Sequence, residues 1–393
     1  IFLKIMVQKK INILINREGI VFYTIYPLIL NKKKLLDLGY KITFYFKLSK
    51  KLLDCDILIL ISKPTQKIID EKNTSTKNNN ALLEYLSEIR SEVKKIIWFD
   101  NSDSSSVTNF EVMPFVDIYL KKQILINKSL YNSNFYGGRI FTDFYHKKFR
   151  IIDKKEFINN FPLKKKYENK LRLSWNIGLG NIHNSFNSFY KIIRLIFPLF
   201  VIKKFSGNFI KPEKYREIDF FFRGSIKYDR NTIKFHREKL FNELKTKLNT
   251  KNYVSIIGNN IFHKNVISAF IKKAKGKLSN SDYLKIQNNS KISFSPFGWG
   301  ELGARDYEII LGGSLLVKPR MDHMETWPNI FIPNKTYVPL EWDFSNLEEI
   351  FETYIKNHRL RNKIISFSQE TYKESISESG MDKFCNWFIK QIQ

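Results

Sequence analysis

Cysteine is nearly absent: Cys55 and Cys385 are the only two in 393 residues. That excludes a disulfide framework and any CxxC redox or metal motif, and it points to a reducing compartment, the cytoplasm. Histidine is scarce as well, six residues with no spacing such as HExxH. No metal site and no resident cofactor are therefore expected. No apolar run is long enough to cross a bilayer. The most apolar stretch, Phe189–Ile202, is broken by Lys191, Arg194 and Pro198. It reads as a packed helix or hairpin joining domains, or as an interfacial helix on the inner face of a membrane. A leader is not evident, since Ile1–Val7 is apolar but short and lysines follow it. The chain opens on isoleucine, so its true start is expected upstream. Acidic residues are in deficit, 38 against 66 Lys and Arg, for a formal charge of +28.

What is present is a globular composition. Hydrophobic residues at 43% with 15% aromatics suit packed cores and not disorder. A chain of 393 residues suffices for two domains of ordinary size. The positive charge invites a nucleic-acid reading. Against it, lysine far outnumbers arginine, the better reader of bases and phosphates. Lys, Asn, Ile and Phe also rise together, the drift expected from codons rich in A and T. No nucleic-acid partner is expected, while an anionic membrane surface or an anionic small ligand suits the charge.

Strand-like runs at Ile11–Ile15, Ile42–Phe46, Asp56–Ile61 and Lys95–Phe99 alternate with helical or loop segments, among them the amphipathic Ala81–Val93. That alternation predicts a parallel α/β sheet. Lys72–Asn80 is a polar loop. Asp54-Cys55-Asp56 has the DxD spacing of a metal-diphosphate site, but it precedes its strand and reads as a polar turn. Asp100 and Asp103 stand where a buried strand passes into a serine-rich loop, the end at which such sheets place ligands. Either is a candidate general base or an Asx turn. Arg139, Asp143 and His146 form a second polar cluster, with His146 a candidate base by its titration range.

Charge dominates Lys154–Lys170, which predicts a boundary. A second domain begins near Asp219 with the strand Phe220–Phe222, followed by the turn Arg223-Gly224-Ser225. Another strand is expected at Val254–Ile257, closed by Gly258. Ser279 with Asp282 caps the helix that delivers the chain to its central stretch, Lys291–Lys318. There a strand, Lys291–Ser295, meets Pro296, Gly298 and Gly300; a helix is expected over Leu302–Leu311, stopped by Gly312–Gly313; Ser314–Val317 resumes as strand. Such a unit offers a helix N-terminus to an anion. Glu301, Arg305 and Glu308, at i, i+4 and i+7, would share one helix face, as a solvated ion-pair face or as a ligand stripe. Lys318, Arg320 and His323 follow at the next strand's carboxyl end, with Trp327 and Trp342 beyond. Ser345 and Glu348 predict a capping box, and Met381–Ile392 a last helix.

The stretch resembles the donor-binding half of GT-B glycosyltransferases, in particular the bacterial group 1 and exostosin-like enzymes, whose helix ends E-x-x-x-x-G as Glu308–Gly313 does here. The resemblance covers about Asp219–Tyr372 and is weaker over the N-terminal half. It departs where many retaining members carry two glutamates separated by seven residues, since Glu301 and Glu308 are separated by six. What it implies is two Rossmann-like domains facing a cleft, with residues 1–150 on the acceptor side, 151–214 as linker and 215–375 binding a nucleotide-sugar. Residues 376–393 would form a helix crossing back onto the first domain. It further implies transfer of a sugar to a hydroxyl of a glycan or lipid-linked acceptor, without metal. Arg223, Gly224, Ser225, Gly298, Gly300, Glu301, Arg305, Lys318 and His323 would hold the donor, with Glu308 at its ribose. Asp103, Asp100 or His146 would supply the base. A sugar-nucleotide epimerase and a basic nucleic-acid-binding protein are the alternatives.

Overall fold

The structure, a computed structural model, describes residues 8–16, 19–72, 80–155, 161–180, 209–248, 253–257, 260–264 and 279–393. Phe189–Ile202, Gly258 and Ile1–Val7 lie outside them, as does most of the run Lys72–Asn80. The first domain is built on strands β1 (Lys9–Leu14), β2 (Tyr40–Tyr45), β3 (Ile57–Ile61), β4 (Ile96–Asp100), β5 (Ile118–Lys121) and β7 (Leu171–Leu173). They run parallel in the order β2-β1-β3-β4-β5-β7. Every residue of Ile57–Ile61 is buried. Such an unbroken apolar strand is what a sheet covered on both faces requires.

The second domain repeats the plan with β8 (Ile218–Gly224), β9 (Tyr253–Ile257), β10 (Asn260–Lys264), β11 (Ser290–Phe294), β12 (Leu315–Pro319) and β14 (Val338–Leu340). Their order is β10-β9-β8-β11-β12-β14, all parallel except the edge strand β10. In each sheet the order reverses beside the first strand, between β1 and β3 and between β8 and β11. Ligands of open α/β sheets bind at such reversals, outside the carboxyl ends. A small antiparallel pair, β6 (Gln123–Leu125) with β13 (Met324–Thr326), joins the domains. The two Rossmann-like domains and the crossing helix expected from the resemblance are all present. Helix Glu378–Ile392 buries Met381, Phe384, Cys385, Phe388 and Ile392 in the first domain's core with Ile11, Ile13, Ile97 and Trp175.

Three expectations need correction. The first domain does not end at residue 150, because β7 at Leu171–Leu173 completes its sheet. The central helix spans Ala304–Gly312 instead of starting at Leu302. Asp306 sets its start: its Oδ2 accepts the Gly303 N–H at 2.9 Å, fixing Gly303 as the N-cap. Its end is as expected, with Gly313 at φ +64°, where a side chain is strained. Ser345 does not cap the helix Leu347–Lys356; Asn346 is its N-cap and Ser345 N–H goes to Asp343. Ser279 does cap its helix, accepting from Asp282 N–H at 3.1 Å.

Candidate functional site

The carboxyl ends of β8 and β11 bring together three arginines. Arg223, half-buried at the end of β8, lies with its guanidinium 4.9 Å from the Tyr283 ring centroid. Arg305, on the first turn of the central helix, donates to the Arg223 carbonyl. Arg237, buried on helix Asn231–Lys247, donates from Nε to the Phe297 carbonyl at 2.8 Å and covers the Tyr228 ring at 4.8 Å. Burial, with Arg305 adding repulsion, lowers the pKa of Arg223 and brings that of Arg237 down to about 10. An anion beside them would relieve the repulsion that Arg305 exerts on Arg223 and Arg237. Glu308 lies beside them, nearly buried, and burial raises its pKa against the opposing pull of Arg305. Gly298 passes close to this group: a Cβ there would stand 3.0 Å from the Tyr228 hydroxyl and 3.2 Å from Arg237 Nη2. At Gly224 a Cβ would stand 2.8 Å from the Phe222 ring, and the Ser225 hydroxyl accepts from Lys227 N–H within its own turn.

Glu301 does not belong to this group. It precedes the helix, so the expected stripe of Glu301, Arg305 and Glu308 does not form. Its buried carboxylate instead clamps the first domain, accepting from Ser105 Oγ at 2.7 Å, Ser105 N and Ser104 Oγ at 3.0 Å and Gln123 Nε2 at 3.2 Å. Burial would raise its pKa, but His323, 3.4 Å away, and Ser105 bring it down to about 2. Lys318 is also withdrawn from a donor. Fully buried, its ammonium goes to Asp306 Oδ2 at 2.6 Å and the Glu301 carbonyl at 2.7 Å. Gly300 is needed for this docking, since a Cβ would lie 1.7 Å from the Asp103 carbonyl oxygen.

On the first domain, Asp100 is not a base. Wholly buried, it accepts from Tyr119 at 2.7 Å, Lys121 Nζ at 2.8 Å and Ser102 N–H at 2.8 Å. Burial opposes ionisation, yet Lys121 and these hydrogen bonds hold it below the ordinary carboxylate range. His146 is structural as well: it donates from Nδ1 to the Ile151 carbonyl at 2.8 Å and stacks on Tyr136. Asp143, also expected in that cluster, accepts from Tyr136 N–H and pairs with Lys147. Arg139 donates to the Trp299 carbonyl at 2.8 Å, another bond between domains. Asp103 remains partly exposed, with Lys63 Nζ at 3.0 Å and Lys122 Nζ at 3.8 Å. Burial pulls its pKa upward, but Lys122, Lys63 and Arg139 outweigh it and keep the carboxylate ionised.

Asp306 and Arg237 were not singled out as site residues from the sequence. Asp306, three residues past a glycine at a helix start, carried a capping signal that could have found it. Arg237 carried none, because a helical arginine is ordinary until its neighbours are known. His236 beside it is buried and neutral, its pKa brought down to about 3 by burial and Arg237. Phe297 N–H donates to its Nε2 at 3.1 Å, so Nδ1 carries the proton and donates to the Tyr145 hydroxyl at 2.6 Å. That hydroxyl in turn donates to the Trp342 carbonyl. Nearby, a cavity of about 330 Å³ opens between the domains, lined by Phe144, Arg320, Asp322, His323, Glu341 and Trp342 among others. Among the described residues no group of three or more His, Cys, Asp or Glu could hold a metal. Asp54 and Asp56 pair with the Lys10 side chain and backbone N–H ahead of β3, as a polar turn does.

No family model matches the chain, and no curated protein matches it. Among solved structures it is similar to an α-glucosyltransferase in complex with UDP and a 13-mer DNA containing a HMU base, at 10% identity and TM-score 0.49, covering 98% of this chain and 100% of that one. It is also similar to S. aureus MnaA with UDP, at 10% identity and TM-score 0.42, covering 98% of each chain. Anabaena Alr3699/HepE in complex with UDP-glucose gives 10% identity and TM-score 0.45, covering 98% of this chain and 100% of that one. With every score below 0.5, the fold assignment rests on the strand orders and not on these likenesses.

Proposed function

We propose that this chain is a glycosyltransferase that moves a sugar from a nucleotide-sugar donor to a hydroxyl of a glycan or lipid-linked acceptor, without a metal. The observation that carries the reading is the cluster Arg223, Arg237 and Arg305 with buried Glu308, at the strand-order reversal of the second sheet and facing the first domain. A departing nucleoside diphosphate is the charge such a cluster is built to stabilise. Glu308 is the carboxylate placed for ribose hydroxyls, and its burial suits a hydroxyl partner. Asp103, ionised and beside the Gly300 loop, is the carboxylate placed to take the acceptor's proton. The interdomain cavity suits a sugar ring, with Trp342 and Phe144 for its apolar faces and Arg320, Asp322 and Glu341 for its hydroxyls.

On this reading the reaction belongs to polysaccharide biosynthesis on the cytoplasmic side, as the sequence resemblance to group 1 and exostosin-like enzymes implies. Phe189–Ile202 is the segment that would meet an anionic membrane. Co-sedimentation with anionic vesicles, lost on replacing Phe197 and Phe200 by Ser, tests that point.

The deciding experiment is calorimetry with a panel of nucleoside diphosphates, UDP included, followed by product analysis with the matching sugar nucleotide. Saturable binding and an acceptor-linked sugar are expected. An epimerised nucleotide-sugar with no transfer would move the assignment to epimerase. Steeply salt-dependent affinity for nucleic acid without nucleotide binding would replace it with the non-enzymatic reading.

A further inference from the structure

The first domain holds a nearly buried ammonium whose ion pair is long. Lys122 follows the last residue of β5, and its side chain is 7% exposed. Among the described residues its Nζ makes no hydrogen bond; the charge it meets is Asp103 Oδ1, 3.8 Å away. Lys63, by contrast, approaches the other oxygen of Asp103 to 3.0 Å. Lys121, next in the chain, is already matched to Asp100 at 2.8 Å. Two ammonium groups therefore share the single carboxylate of Asp103, and one positive charge is in excess. A lysine whose task was to fix Asp103 would close to hydrogen-bond distance, as Lys63 does. Lys122 has N–H groups to spare, and a buried ammonium without a hydrogen bond is costly.

The charges that bear on Lys122 are Asp103, Lys63, Lys121 and Asp100, and with burial the largest cause its pKa comes down to about 8. An incoming anion would reverse that shift. The cluster also meets the second domain. The Asp103 carbonyl lies against Gly300 of the second domain's glycine loop, and Lys63 and Asp103 both open to solvent.

We propose that the first-domain side of the cleft binds an anionic acceptor, its phosphate or carboxylate held by Lys122 and Lys63 beside Asp103. The word acceptor rests on the glycosyltransferase reading, whereas the anion site does not. The test uses the full chain with UDP at saturation, so that the arginine cluster is filled, and titrates inorganic phosphate and, separately, acetate by calorimetry. Phosphate or acetate should bind the parent, with the tighter of the two identifying the acceptor's group. Lys122→Met should weaken that binding about tenfold or more, the loss of a charge-assisted contact. Lys63→Met, at an exposed position, should weaken it less and keeps the test alive if Lys122→Met does not fold. UDP affinity should be unchanged in both. Anion binding that depends on Lys122 without any UDP binding would support the site and sink the glycosyltransferase reading. Equal affinity in parent and both lysine variants, or no anion binding by the parent, would overturn the proposal.

Discussion

At the scale of single residues, the donor side reduces to which charges are committed within the fold and which remain for a ligand. Lys318 and Glu301 are committed; Arg223 and Glu308 are not. Arg223→Ala should therefore cost about 1.5–3 kcal/mol in nucleoside-diphosphate binding, the range of a charge-assisted hydrogen bond. Glu308→Gln should weaken the nucleotide while leaving the unfolding midpoint in place, and calorimetry with UDP and UMP checks both. The buried His236 and Glu301 make a separate prediction about pH. His236 has a folded pKa of about 3 against an ordinary 6.5, so its contribution is complete above 6.5. Below that the unfolded chain takes up a proton that the folded one refuses. Stability then falls by about 1.4 kcal/mol per pH unit until pH approaches 3. Glu301, at about 2 against 4.5, contributes above 4.5 and loses that contribution as pH falls through 2. Urea unfolding from pH 7 to pH 5 should thus weaken the parent, and His236→Gln should flatten the decline. Parallel declines in the two proteins would remove His236 as its source.

Between residues and the whole chain, two elements hold the domains in register. The glycine loop reaches the first domain only because position 300 has no side chain. Gly300→Ala drives a Cβ into the Asp103 carbonyl and should pull Glu301 from Ser104 and Ser105. The expected result is a lower melting temperature together with slower transfer, measured on the same preparation. The terminal helix acts from the other side, with Phe388 fully buried against Trp175. Phe388→Ala should destabilise by about 3–5 kcal/mol, the cost of an aromatic cavity, read by equilibrium denaturation. A smaller loss would mean that the helix contributes little to the first domain's core.

For the molecule as a whole, two largely parallel sheets, each reversing its strand order beside its first strand, face one cleft, and the proposed transfer assigns the chemistry to side chains and loop N–H groups there. Transfer should accordingly survive EDTA. Abolition by EDTA with rescue by manganese would overturn this and return attention to Asp54 and Asp56. Saturating UDP should raise the melting temperature, since a ligand of the folded state alone adds about 2.7 kcal/mol at a hundred times its Kd.

The local sequence determined what depends on neighbours in the chain. Apolar runs such as Ile57–Ile61 declared parallel strands, Gly313 ended the central helix, Ser279 capped its predecessor, and Phe384, Phe388 and Ile392 lined up a buried face. That Arg223, Arg305 and Glu308 come together was legible for the same reason, because strand ends and helix starts are local events that a βαβ unit brings to one crevice. Tertiary structure alone decided the fate of Glu301, Lys318, Asp100 and His146, each of which reads as a free polar group in one dimension. Their partners, Ser105, Asp306, Lys121 and the Ile151 carbonyl, become known only when loops and domains meet. A charge does not reveal in sequence whether it will be spent inside the fold or kept for a ligand, since that depends on distance and burial, and both are set by packing.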